Sequence, residues 1–242
     1  MTSKAIEITN LSKIYKNGRG ISNLNLTVNQ GDIFGFLGPN GAGKTTTMQM
    51  ITGLVKPDRG DVNIFGNSIT ENYVDAMKHI GCMIETAESY PYLTAYEHLQ
   101  LVARFYPQVD QRRIDKCMEI TGILKYKNEK AKKYSVGMKQ RLGIAAAILS
   151  RPKLLILDEP LNGLDFEGIF DIRRLIKELS MEEGTTFFIS SQFTHDMELT
   201  CTRIGVVYSG TLVNEDYTQN ILSNYPSFEN YYVSEVGRNE RV

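Results

Sequence analysis

The chain has 242 residues, with 27 Lys plus Arg against 28 Asp plus Glu and a net charge of −1, whereas a dedicated nucleic-acid binder carries a clear positive excess. Hydrophobic residues make up 42% and charged residues 23%, a globular balance that excludes wholesale disorder. No run reaches the roughly 18 apolar residues of a membrane span. The start, MTSKAIEITN, has no apolar signal core, and Cys82, Cys117 and Cys201 are odd in number, far apart and without a CxxC pair. These features lead us to expect a soluble, cytosolic domain that reaches a membrane only through a partner.

In chain order, Ala5 to Ile8 and Leu24 to Val28 alternate as strands. Asp32 to Leu37 is a near-continuous apolar run, as in a buried parallel strand. Lys44 to Leu54 reads as a helix with Met48, Ile51 and Leu54 along one side, and Asp61 to Phe65 and Ile80 to Ile84 read as strands. From Thr94 to Arg151 strand signals vanish, and Leu99, Val102 and Phe105 recur at helical spacing. Leu154 to Leu157 restores a buried strand; Asp171 to Leu179 is helical, and Phe187 to Ile189 and Ile204 to Val207 are strands. The expected layout is an α/β core over 1–85 and 152–242, interrupted by a helical subdomain at 86–151.

Between a predicted strand and a predicted helix lie Gly38, Pro39, Asn40, Gly41, Ala42, Gly43, Lys44 and Thr45, followed by Thr46. They match the phosphate-loop pattern G-x-x-x-x-G-K-S/T in the context it requires. Glycines let backbone N–H groups turn inward as an anion nest, and the helix presents its positive end. Lys44 is expected to reach the β- and γ-phosphates, and the Thr45 hydroxyl to ligate Mg²⁺. A second apolar strand ends in Asp158 and Glu159. Asp158 is expected to help hold Mg²⁺, and Glu159 to orient or deprotonate the attacking water.

Further residues resemble one family. Tyr134, Ser135, Val136, Gly137, Met138, Lys139, Gln140 and Arg141 resemble the signature motif of ABC (ATP-binding cassette) ATPases. Pro160 to Asp165 resembles that family's D-loop, and Tyr15, which precedes Lys44 by 29 residues, its adenine-stacking aromatic. The resemblance covers nearly the whole chain. It implies a P-loop NTPase fold, a RecA-like core with N-terminal antiparallel strands plus an inserted ABC α-helical subdomain. It also implies a head-to-tail dimer in which each ATP lies between one phosphate loop and the other subunit's Ser135 and Gly137. Ser135 suits a helix N-cap, and Gly137 permits close backbone approach. From Leu124 to Arg141 there are seven Lys or Arg against one Glu, either a solvated face or an attraction to the partner's ATP or an anionic membrane.

Four positions, in three motifs, depart from the family pattern. Val136 and Met138 replace a glycine and a glutamine of the signature. Glu85 stands where most members have the Q-loop glutamine. With Ile84, Thr86 and the segment Tyr90 to Glu97, it resembles the bacitracin-resistance and lantibiotic-protection exporters. Glu85 is expected to join the Mg²⁺ site and relay nucleotide state. Gln192 occupies the place of the switch histidine; its amide can donate to a γ-phosphate but does not titrate near neutrality. His195 lies one helical turn on, as a substitute or as an ordinary surface residue. With three dispersed histidines, no zinc site is expected.

The expected function is the ATPase subunit of a bacterial exporter of antimicrobial peptides, docking an integral-membrane permease near Glu85 and the aromatic segment Tyr90 to Tyr96. The alternative is an ATP-dependent clamp with little turnover, because Gln192 replaces histidine. Translation and DNA-repair relatives fit less well: the chain carries one cassette, neutral charge and no long coiled coil. A GTPase lacks its NKxD motif here.

Overall fold

The computed structural model describes residues 3–85 and 90–239. Thr86 and the boundary expected at residue 86 lie outside them. The first part of the chain forms β1 (Lys4–Ile14), β2 (Gly20–Asn29), β3 (Ile33–Leu37), α1 (Lys44–Ile51), β4 (Arg59–Ile64), β5 (Asn67–Ser68), α2 (Tyr73–Met77) and β6 (Ile80–Met83). A helical stretch follows, with α3 (Ala95–Ala103), α4 (Gln111–Ile120) and α5 (Val136–Ala147). The last part forms β7 (Leu154–Leu157), α6 (Phe166–Glu183), β8 (Thr186–Ser191), α7 (Thr194–Thr200), β9 (Arg203–Tyr208), β10 (Thr211–Tyr217), α8 (Thr218–Asn224) and α9 (Phe228–Asn239).

One sheet is antiparallel, in the order β2-β1-β4-β5. The other runs β10-β9-β3-β8-β7-β6, parallel throughout except for β10 on its edge. Because β3 and β7 are covered on both faces, their sequences are runs of apolar residues and glycine and do not alternate; β8 is buried throughout as well, with Phe187 to Ile189 apolar between Thr186 and the Ser190–Ser191 pair. Phe34, Phe36, Leu154, Ile156 and Phe188 point toward the antiparallel sheet and α1, with Phe34 and Phe188 stacked 5.6 Å apart. Leu155, Leu157, Phe187 and Ile189 point the other way, into a core shared with α5, α6 and the helical stretch. The parallel sheet is thus the middle layer between two hydrophobic cores.

Close approach matters most where α5 crosses β6. A Cβ on Gly81 would sit 2.0 Å from the Ala147 carbonyl oxygen, so only glycine lets the helix lie this low. Four sequence expectations are corrected. β1 does not alternate at its start: Ala5 and Ile6 are both buried, beside a register irregularity against β2. α1 stops at Ile51, and Leu54 lies beyond it, exposed. The helix expected over 171–179 begins at Phe166, because the Asp165 side chain caps it by accepting from the Gly168 N–H at 2.9 Å. α3 ends at Ala103, so Phe105, expected at helical spacing with Leu99 and Val102, lies beyond the helix and is exposed.

Candidate functional site

The parallel register sets the site. Leu37 pairs with Ser191, Leu157 with Ile189, and Met83 with Leu157, so four neighbouring strands end within two residues of one another. The phosphate loop leaves β3, Gln192 follows β8, Asp158 and Glu159 follow β7, and Glu85 follows β6. A crevice outside the carboxyl ends of parallel strands is where α/β sheets bind ligands.

The loop is held from beneath: the Gly38 N–H donates to the Ser191 carbonyl at 3.1 Å, and the Ala42 N–H to Pro39 O at 3.2 Å. Gly43 sits at φ 101°, a backbone that side-chain-bearing residues rarely adopt, and no side chain caps α1. The start of α1 therefore offers its dipole and N–H groups to an anion. The Lys44 ammonium is buried and donates to the Gly38 and Pro39 carbonyls at 2.7 and 3.2 Å. The Glu159 carboxylate lies 3.3 Å from the same nitrogen. Asn40 and Gly41 are the exposed tip of the loop, and Thr46 lies in the first turn of α1.

The Thr45 hydroxyl donates to Asp158 Oδ2 at 2.7 Å. Ser190 Oγ donates to the other oxygen of Asp158 and accepts from the Glu159 N–H at 2.9 Å. Asp158 is itself fixed to β6, its N–H donating to Met83 O at 2.8 Å. A hydroxyl beside a carboxylate is the hard-oxygen donor set that Mg²⁺ takes, so these residues fit that ion. Glu85 stands apart from that pair; its carboxylate accepts from the Gln49 side-chain amide at 3.3 Å, on a backbone at φ 63°. It nonetheless lines the same cavity of about 390 Å³ as Val136, Gln140, Asp158, Glu159 and Asn162.

Sequence reasoning missed Ser190, Gln49 and Gln140. A serine pair directly after the apolar run Phe187 to Ile189 of a buried strand was the available signal for the first. Gln140 is buried on α5 and donates to the Glu159 carbonyl at 3.1 Å.

The family pattern described as ABC transporter matches residues 21–162. The chain belongs to the ABC transporter ATP-binding family. Like its relatives it is an ATPase. It is 46% identical over 209 residues to the uncharacterized ABC transporter ATP-binding protein YhcH of Bacillus subtilis, covering 86% of this chain and 68% of that protein. It is 44% identical to the bacitracin transport ATP-binding protein BcrA of Bacillus licheniformis, covering 88% and 70%. Among solved structures, the dimeric post-hydrolysis cassette MJ0796 bound to ADP and Pi superposes with a TM-score of 0.80 at 26% identity, over 88% of this chain and 98% of that one.

Tyr15, partly exposed, sits at the end of β1 in a turn closed by its own N–H to Arg19 O at 2.8 Å. The neighbouring Gly20 and Ile21 pack directly on Gly43, which brings the turn beside the phosphate loop. Ser135 caps α5, accepting from the Met138 N–H at 3.2 Å. Gly137 packs against Leu164 and Gly163 against Val136, so signature and D-loop are one surface. A second cavity of about 360 Å³ beside it is lined by Lys125, Tyr126, Ser135, Gly137, Arg141 and Asp165. In the basic stretch, Arg141 pairs with Asp171 at 2.9 Å and Lys127 with Asp115 at 3.4 Å, while Lys125, Lys130, Lys132 and Lys133 are exposed. Gln192 is half-buried directly after Ser191; His195 is exposed on α7. Tyr90 and Tyr92 are exposed, whereas Tyr96 packs on the core of the helical stretch. No helix among the described residues is long and apolar enough to cross a membrane.

Proposed function

We propose that this ABC ATPase powers a separate integral-membrane permease and works as a head-to-tail pair. Each Mg-ATP would bind between one subunit's phosphate loop and its partner's Ser135 and Gly137. The observation that carries the reading is the shared edge at which β3, β8, β7 and β6 end, with the phosphate loop, Gln192, Asp158, Glu159 and Glu85 on it. Tyr15 stacks on adenine, and the loop from Gly38 to Thr46 holds the phosphates. Lys44 exchanges its contact with Glu159 for the β- and γ-phosphates. That exchange leaves Glu159 free to orient and deprotonate water. Gln192 donates its amide to the γ-phosphate, and Asp165 sets the D-loop against the partner. Thr45 and Asp158 hold Mg²⁺, with Glu85 within the same cavity; the ion when bound neutralises phosphate charge.

Residues 86–151 act as the subdomain that presents the signature, on a core of 1–85 and 152–242. The exposed Tyr90 and Tyr92 support a docking role for that face toward the permease, which would hold the chain at the inner face of the membrane. The relation to BcrA supports export of an antimicrobial peptide as the cargo class. Steady-state hydrolysis of Mg-ATP tests the reading, with Glu159→Gln as control. Turnover that the control lowers by about a hundredfold or more, with ATP binding kept, is expected. A membrane protein that copurifies supports the permease, and a soluble partner opposes it.

Gln192 favours one second reading, a clamp that ATP closes with little turnover. ATP-driven dimerisation of the native chain with negligible phosphate release would select it.

A further inference from the structure

We infer that Gln140 is a positioning residue for Glu159, and that through it the signature helix of each subunit sets the hydrolytic acid of that same subunit. Glu159 lies in the left-handed backbone region, at φ 47°, which is unfavourable for a side-chain-bearing residue and persists only when neighbours hold it. Three hydrogen bonds grip its peptide groups. Its N–H donates to Ser190 Oγ at 2.9 Å, and its carbonyl accepts from the Asn162 N–H at 3.1 Å and from Gln140 Nε2 at 3.1 Å. The first comes from β8 and the second from the loop that Glu159 itself begins. Gln140 alone of the three reaches in from α5.

The placement of that amide is informative. Gln140 is 4% exposed, on a helix whose other buried side chains are small or apolar, such as Leu142, Ile144 and Ala145. A buried amide is costly unless it is bonded, and here its bond goes to the one residue proposed to handle water. The same helix begins at Ser135, five residues earlier in the chain. In the head-to-tail arrangement, on which this inference rests, Ser135 and Gly137 meet the nucleotide of the opposite site. A shift of α5 on engaging that nucleotide is transmitted by Gln140 to the carbonyl of Glu159 in its own site. One short lever thus joins the two composite sites.

The test uses two substitutions of the full chain. Gln140→Leu keeps the volume and removes the donor. Gln140→Glu keeps the shape and donates only when protonated. For Gln140→Leu we expect kcat to fall about tenfold, with KM for Mg-ATP within about twofold, the signature of an interaction felt at the chemical step. For Gln140→Glu we expect activity relative to the native chain to recover as pH falls, because the ionised carboxylate repels the carbonyl and the neutral acid bonds it. Thermal melts of the glutamate variant over the same pH range separate the two roles: a pH trend in kcat with unchanged Tm supports positioning, and a Tm that falls in step with kcat overturns it. If a thermal melt shows that Gln140→Leu does not fold, the pH profile of Gln140→Glu decides alone. Native kcat in the leucine variant, or a flat ratio for the glutamate variant, overturns the inference. ATP-driven dimerisation is measured in Glu159→Gln and in Glu159→Gln with Gln140→Leu. Loss of the dimer only in the double variant places Gln140 in helix docking and overturns the lever. Failure of Glu159→Gln itself to dimerise rejects the head-to-tail reading and with it the link between sites. The kinetic arms then judge the action on Glu159 separately.

Discussion

The Thr45 hydroxyl and Asp158 Oδ2 are hydrogen-bonded at 2.7 Å although 113 residues separate them in the chain. The bond crosses above the end of β8 and ties the first turn of α1 to the end of β7. It pairs the two oxygen donors proposed above to hold Mg²⁺. Thr45→Val, which keeps the shape and removes the oxygen, is expected to lower Mg-ATP turnover by at least about tenfold. Thr45→Ser is expected to keep most of it. Phosphate release at saturating ATP and varied Mg²⁺ checks this; equal rates for the valine and serine variants would dismiss the hydroxyl.

Gly81 controls how closely the signature helix approaches the sheet. In Gly81→Ala the new methyl would meet the Ala147 carbonyl at 2.0 Å and Pro152 Cγ at 2.9 Å, so α5 must lift. Overpacking of this kind costs about 1–3 kcal/mol. A fall in Tm of about 2–4 °C per kcal/mol follows for a chain of this size. Because α5 carries Ser135, Gly137 and Gln140, turnover at a temperature well below the melt should also drop. A variant with native Tm would show that the sheet yields more easily than the geometry implies.

His98 lies on α3 with its Nδ1 buried and unpartnered among the described residues, and burial pushes its pKa below the ordinary 6.5. The folded state therefore disfavours the proton relative to the unfolded chain. The stability this contributes is fully present above about pH 6.5 and is lost as pH falls through the folded value. Thermal melts at about pH 7.5 and pH 5.5 should show a larger drop for the native chain than for His98→Gln. An unchanged drop would assign the acid sensitivity to other groups.

Gln192 is neutral at all working pH values, so no limb near pH 6.5 in the hydrolysis profile should belong to this position. Gln192→His is expected to introduce one, visible as a change in the shape of kcat against pH, since a histidine there titrates in that range. Profiles of identical shape would mean that the side chain does not touch the reacting phosphate.

The layers of the fold were legible where both faces of a strand are buried. Leu154 to Leu157 and Ile33 to Leu37 need runs free of polar side chains, and such runs are visible in one dimension. The edge strand β10 was not legible. Its residues are half-solvated and mixed in polarity, so neither a run nor a clean alternation marks it. The start of α6 was missed because Phe166 and Phe170 are exposed and break the apolar stripe; the cap at Asp165 decides that terminus.

By itself the sequence determined the phosphate loop, the Asp158–Glu159 strand end and the signature segment. Their chemistry depends on residue types at fixed short spacing, and short spacing is preserved along a chain. Only the tertiary structure decided that Lys44 faces Glu159, that Ser190 braces Asp158, and that Gln140 reaches Glu159 from the signature helix. Those contacts depend on strand order and on how deeply α5 settles against Gly81. Strand order and packing depth are set by the joint burial of two cores, which no local stretch of residues encodes.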